Sequence, residues 1–225
     1  MYTNENTNYF RLITLLYTWG TLALRMVLDS AIGPDRSLLD VLQELKPIFT
    51  DLRSQGILTT RQWVKFYPIV PSAVSSTKLD ITDMMLIFRN ADLLPSPSKG
   101  WDCLPPRNVL SKEADIVRVR VYRNELAHSV NVSISDGKFE KYWTEIQDAL
   151  DRLLEGKYRA KIAELKTRST DPQMEKQLLE EIDKLTLQEV ESPQNKGQLS
   201  ILNLLSSFIA MHVIKITCLK LGLLL

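Results

Sequence analysis

Apolar positions recur along this chain at helical spacing, and strand-like alternation is nearly absent, so the pattern predicts an all-α fold. The first predicted helix runs from about Asn8 to Ala31. It carries Leu, Tyr and Trp on several sides, as a helix buried within a bundle does. Ser37 stands where it can cap a second helix, with Leu39, Val41, Leu42, Leu45 and Ile48 on the apolar side. Pro47 is its kink point and Gly56 its stop. "TTRQWVKFYP" reads as a short helix ended by Pro68, and "VPSAVSSTK" as a loop. A further long helix is predicted from Asp80 to about Leu93.

Pro95, Pro97, Pro105 and Pro106 then forbid helix and predict an extended crossing, anchored by Trp101. Ser111 caps the next helix, and another begins near Ser135 and continues to Arg168. Asp171 followed by Pro172 restarts a helix that ends near Glu191. Leu178, Ile182 and Leu185 lie at heptad-like spacing there, for too few turns to make a long coiled coil. The expected organisation is a bundle of five or more helices over residues 1–191, with an extended C-terminal helical segment. A linker and apolar tail follow over 192–225. No internal repeat is found.

The tail, "LSILNLLSSFIAMHVIKITCLKLGLLL", is a separate compositional block. A membrane span needs ~20 mostly apolar residues. Leu199 to Ile214 falls short and holds Asn203 and His212; reaching the length brings in Lys215 and Lys220. No stable span is expected. A weak tail anchor, a helix docked on the bundle and an aberrant chain end are the competing readings, and His212 is read as incidental. The amino terminus carries Arg11 and Arg25 within its apolar run and lacks a small-residue cleavage site, so the chain is expected to start near Met1.

Composition changes this picture little. The chain is 225 residues long, 44% hydrophobic and 24% charged, which is ordinary globular material. A net charge of +1 provides no global field for nucleic acid or anionic lipid, so any such contact needs a local patch. Cys103 and Cys218 form neither a disulfide framework nor a thiolate cluster, which points to a reducing, cytoplasmic setting. With only two histidines and two cysteines, no metal site and no cofactor are expected.

Candidate chemistry concentrates in one helix. "VRVRVYRNELAHS", Val117 to Ser129, holds Arg118, Arg120, Arg123, Asn124 and one of the two histidines, His128. At ~100° per residue, Arg120, Arg123, Asn124, Ala127 and His128 fall within an arc of roughly 140°. Asn124 and His128 are an i,i+4 pair, Val119 and Leu126 flank the arc on one side, and Val117 and Val121 on the other. Arg118 and Glu125 lie opposite. A polar strip on an otherwise apolar helix needs partners or a purpose. The structural alternative is a histidine favoured by the helix dipole and arginines paired with Asp115 and Glu125.

"RNELAH" resembles the signature of the HEPN superfamily, α-helical domains of which many are metal-independent ribonucleases. "RQWVKFYP", "LDITDMMLIFRN", "GWDCLPP", "SKEADIVRVRVYRNELAH" and "KFEKYWTEIQDAL" fall in the order of the HEPN domains found in a RING ubiquitin ligase and in animal NACHT receptor-like proteins. The resemblance covers roughly Tyr9 to Glu191. The gap between arginine and histidine is one residue shorter than in that branch.

The resemblance implies that Arg123 and His128 are a catalytic pair and Asn124 their polar helper, with Arg120 and Arg118 as candidate RNA contacts. It implies RNA surveillance or innate immunity as the setting. In metal-free RNA cleavage the ribose 2′-OH attacks the adjacent phosphate, leaving a cyclic phosphate and a 5′-OH. Histidine can serve as base or acid, and arginine can hold phosphate oxygens in a fork. One chain offers one histidine here, so a homodimer with these helices facing supplies the second. Trp101 and Tyr122 are aromatic enough to stack bases, although core or interface roles are the better fit. The alternative is a non-catalytic module for dimerisation or protein partners.

Overall fold

The computed structural model describes residues 3–129 and 132–167, and Glu180 beyond them. The expected helix from Asp171 to Glu191 (apart from Glu180, which is helical), the linker and the apolar tail lie outside the described residues. Among the described residues the fold is all-α, without strands.

The first long helix is continuous in three pieces: α1 (Asn4–Thr14), a π-helical stretch (Leu15–Gly20) and α2 (Thr21–Ile32). Its start is set by a capping box between Thr3 and Asn6, four residues earlier than the sequence pattern suggested. The π stretch ends on a glycine that packs tightly against another helix. A Cβ on Gly20 would meet Val119 Cγ1 at 3.0 Å, so this segment and the helix bearing Val119 come as close as a glycine permits. Asn4 to Ile32 is long and apolar enough to cross a membrane by length and composition alone. Half of its apolar window is buried inside the bundle, the mark of a core helix.

α3 (Leu38–Ser54) starts at the Ser37 cap, closed by a box with Asp40, and Gly56 takes a positive φ of 70° just past its end. Its buried positions are Val41, Leu42, Leu45 and Phe49, while Ile48 stands 43% exposed. Positions 41, 45 and 49 are one turn-spaced row, and Phe49 takes the core place expected of Ile48. α4 (Thr60–Phe66) is boxed by Thr59 and Gln62. Two 3-10 turns, Pro71–Ala73 and Ser76–Lys78, occupy the expected loop. α5 (Ile81–Asn90) is capped reciprocally by Asp80 and Asp83.

α6 (Lys112–Ala127) begins at Ser111, whose Oγ accepts from the Ala114 amide. α7 (Asp136–Leu153) follows and forms with α6 the most extensive helix pair. The expected continuation to Arg168 is broken. Glu155 and Gly156 both take positive φ, 53° and 72°, and the Gly156 amide donates to Asp151 O. That left-handed stop reorients the chain into a short α8 (Arg159–Thr167), which places Ile162 in the core.

The proline-rich crossing is ordered as anticipated. Trp101 is buried at 8% exposure and stacks on Phe88, ring centroids 6.3 Å apart. Arg120 Nη1 donates to Trp101 O at 2.9 Å, and Arg118 Nη2 donates to Pro106 O and Val109 O.

Candidate functional site

α6 runs through the core, so its polar residues are held at fixed depths. Arg118 is 2% exposed. Its Nη1 donates to Asp115 Oδ1 at 2.7 Å, and Arg152 of α7 closes the same carboxylate from the other side at 2.7 and 2.8 Å. Arg120 pairs with Asp102 at 2.8 Å besides holding the Trp101 carbonyl. Both arginines therefore strap the crossing loop to α6. Their expected role on RNA is corrected accordingly for Arg118, which has no surface left to offer a phosphate. Arg120 keeps part of its side chain open but spends its donors on the loop.

Arg123 is also 2% exposed. The strip anticipated from the wheel would have set it facing a partner; the structure instead turns it into its own protomer. Its Nη1 donates to Asn124 Oδ1 at 2.8 Å, and its guanidinium lies 5.9 Å from the Tyr17 ring centroid. His128 is the C-cap of α6, exposed, and its backbone amide donates to Asn124 O at 3.0 Å. The structure thus brings Arg123 and Asn124 together as side chains. His128 stands at the helix end, in solvent. Tyr122, weighed as a base-stacking residue, is buried and donates its hydroxyl to Glu145. Among the described residues no group of acidic, histidine or cysteine side chains has the makings of a metal site.

Arg123 lines a cleft of about 270 Å³ whose other walls come from distant segments. Tyr17 and Thr21 belong to the π stretch and the start of α2, Arg25 to α2, Arg61 and Lys65 to α4, Thr77 to Asp80 to the segment before α5, and Ile81 to the first position of α5. Sequence reasoning missed this convergence. Arg61 and Lys65 are a legible i,i+4 pair on one helical face, but nothing local says that Arg25 and Arg123 meet them.

Lys65 carries a second feature. Its ammonium bonds Asp80 at 2.7 Å and Asp83 at 2.5 Å, and Asp83 is fully buried. Burial alone would raise Asp80, but Lys65 outweighs it and holds that carboxyl below its ordinary value. Burial, and then the charge of Asp80, push Asp83 up to about 6 against the pull of Lys65. A folded value above the unfolded one means that protonated Asp83 stabilises the fold fully below 3.8. That contribution is lost as pH rises through about 6. Asp83→Asn is expected to flatten the pH dependence of the urea midpoint across that interval. An unchanged slope would contradict the assignment.

The bundle, with an arginine, an amide and a histidine on one core helix, defines an α-helical HEPN domain. The chain belongs to the DZIP3/hRUL138-like HEPN family, whose profile matches residues 35–178. It is 30% identical over 151 residues to the E3 ubiquitin-protein ligase DZIP3 of Mus musculus and 28% identical over 151 residues to that of Homo sapiens. The alignment takes in 65% of this chain and 12% of each ligase. No solved structure gives a significant match.

Proposed function

We propose that this chain is a cytoplasmic RNA-binding HEPN module, of RNA surveillance or innate immunity, whose cleavage chemistry belongs to a two-fold pair and not to one protomer. The observation that carries this reading is the division of labour along α6. Arg123 is held rigid by Asn124, and His128 is presented to solvent just past the last turn. This reading requires the two-fold pair to uncover Arg123, 2% exposed in the single protomer, so that its fork can hold phosphorane oxygens. One exposed histidine can act as base or as acid, so a second copy must supply the other.

The burial of Arg123 favours a second reading, a module that pairs or holds protein or RNA partners without cutting. One experiment separates the two. The full chain is incubated with labelled single-stranded RNA in excess chelator. Cyclic-phosphate products are expected, and His128→Ala is expected to abolish them with its circular dichroism unchanged. Arg123→Lys keeps a buried cation but loses the fork, and should cut at least ~10-fold more slowly. RNA retained without products would leave the non-catalytic module.

A further inference from the structure

α4 turns an apolar crest to water. Gln62 and Phe66 are its buried positions, so at ~100° per residue Val64 stands on the opposite side of the helix, and it is 58% exposed. The chain runs on into Pro68, Ile69, Val70 and Pro71, where Ile69 is fully exposed and Val70 is 58% exposed. Each proline fixes its own φ, and Pro71 keeps Val70 extended, at φ −102° and ψ 106°. The Ala73 amide donates to Val70 O at 2.9 Å and closes the turn behind this tip. A tip fixed in this way holds its aliphatic groups in water. Val64, Ile69 and Val70 together are a patch, not scattered apolar positions.

The flanks of the crest are aromatic and basic. Trp63 and Tyr67, half-buried, lie with ring centroids 4.5 Å apart on the α3 side, where the Tyr67 hydroxyl donates to Leu42 O at 2.7 Å. Arg53 and Lys46 of α3 sit over these two rings, 4.7 and 5.6 Å from the centroids. Arg61 stands on the other flank and shares the cleft wall with Lys78. All four cations are exposed, and among the described residues none is paired with a carboxylate. Between Lys46 and Lys78 the sequence sets one acid, Asp51, against these four and Lys65, whose charge Asp80 and Asp83 offset. The whole chain carries only +1, so the excess is local. We propose that this face docks on an anionic lipid surface, the aliphatic tip in the acyl boundary and the four cations on headgroup phosphates. Tip, aromatic belt and basic rim follow the layering of a membrane interface, where Trp and Tyr rest between acyl chains and headgroups. Nucleic acid has no use for the tip, and the ring faces on which bases would stack carry Arg53 and Lys46. The inference involves neither Arg123 nor His128, so it stands apart from the RNA-cleavage reading.

The test is co-sedimentation of the full chain at low salt with two vesicles, phosphatidylcholine alone and phosphatidylcholine with phosphatidylserine at about three to one. Binding to the anionic vesicle is expected, at least ~10-fold tighter than to the neutral one. Ile69→Asp combined with Val70→Asp, and separately Arg61→Glu, should each weaken it by about tenfold or more with circular dichroism unchanged, since all three positions are exposed. No binding, or equal binding to the two vesicles, would overturn the proposal. Variants that bind as the wild type does would overturn it too, because the apolar tail or another surface would then be holding the lipid. RNA retention that falls in Arg61→Glu, without vesicle binding, would give the cations to nucleic acid and equally overturn it. Neither vesicle reads RNA cleavage, so the two proposals fail separately.

Discussion

Replacing Asp115 by Ala is expected to cost about 3–5 kcal/mol in urea denaturation. The carboxylate is fully buried and takes one bond from Arg118 and two from Arg152. Removing it leaves the Arg118 guanidinium 2% exposed with no counter-charge, and that uncompensated charge, not the lost bonds, supplies most of the cost. It also frees α7 from α6 at the Arg152 end. Asp115→Leu combined with Arg118→Met should recover much of the loss, because an apolar pair has no charge to strand. A single-variant loss under ~1 kcal/mol would show that the ion cluster is solvated.

Trp101→Ala is the second large effect, at ~3–5 kcal/mol. The indole is the one large apolar side chain that the crossing loop inserts into the core, against Phe88. Its loss opens a cavity and loosens the loop whose carbonyls at 101, 106 and 109 bind Arg120 and Arg118. Because those arginines sit on α6, the variant should also change hydrogen-exchange protection along that helix. A loss below ~1 kcal/mol would mean that the loop is held by its ion pairs alone.

Where local chemistry decides an element, it was legible in the sequence. Ser37, Asp80 and Ser111 mark helix starts because each offers an oxygen to a free amide, and Gly56 marks a stop because it accepts positive φ. Trp101 was legible as an anchor, since a proline-fixed loop with one tryptophan has one apolar group to bury. The π stretch was not. It ends at Gly20, which approaches Val119 across about a hundred residues of sequence, a contact that no local pattern carries. The break after α7 was missed for a different reason. Glu155 has no business at positive φ, and only the neighbouring Gly156 hints at the turn.

The candidate site divides along the same line. Spacing and family resemblance singled out Arg123, Asn124 and His128, and the helix does hold Arg123 against Asn124. Depth was invisible. A helix that is apolar on both flanks is packed on both, so Arg118 and Arg123 are buried on different sides of it while His128 escapes only because the helix ends there. Helical-wheel angles give direction and say nothing of how far the neighbouring helices reach.

The most direct test of the proposed composite RNA site mixes wild-type chain with His128→Ala in equal amounts, allows exchange, and measures chelator-resistant RNA cleavage. If both histidines of a two-fold pair are needed, activity should fall to about one quarter of the wild-type value at the same total protein, since only wild-type pairs cut. A fall to about one half would mean that each histidine works alone, and would contradict a site shared between two copies.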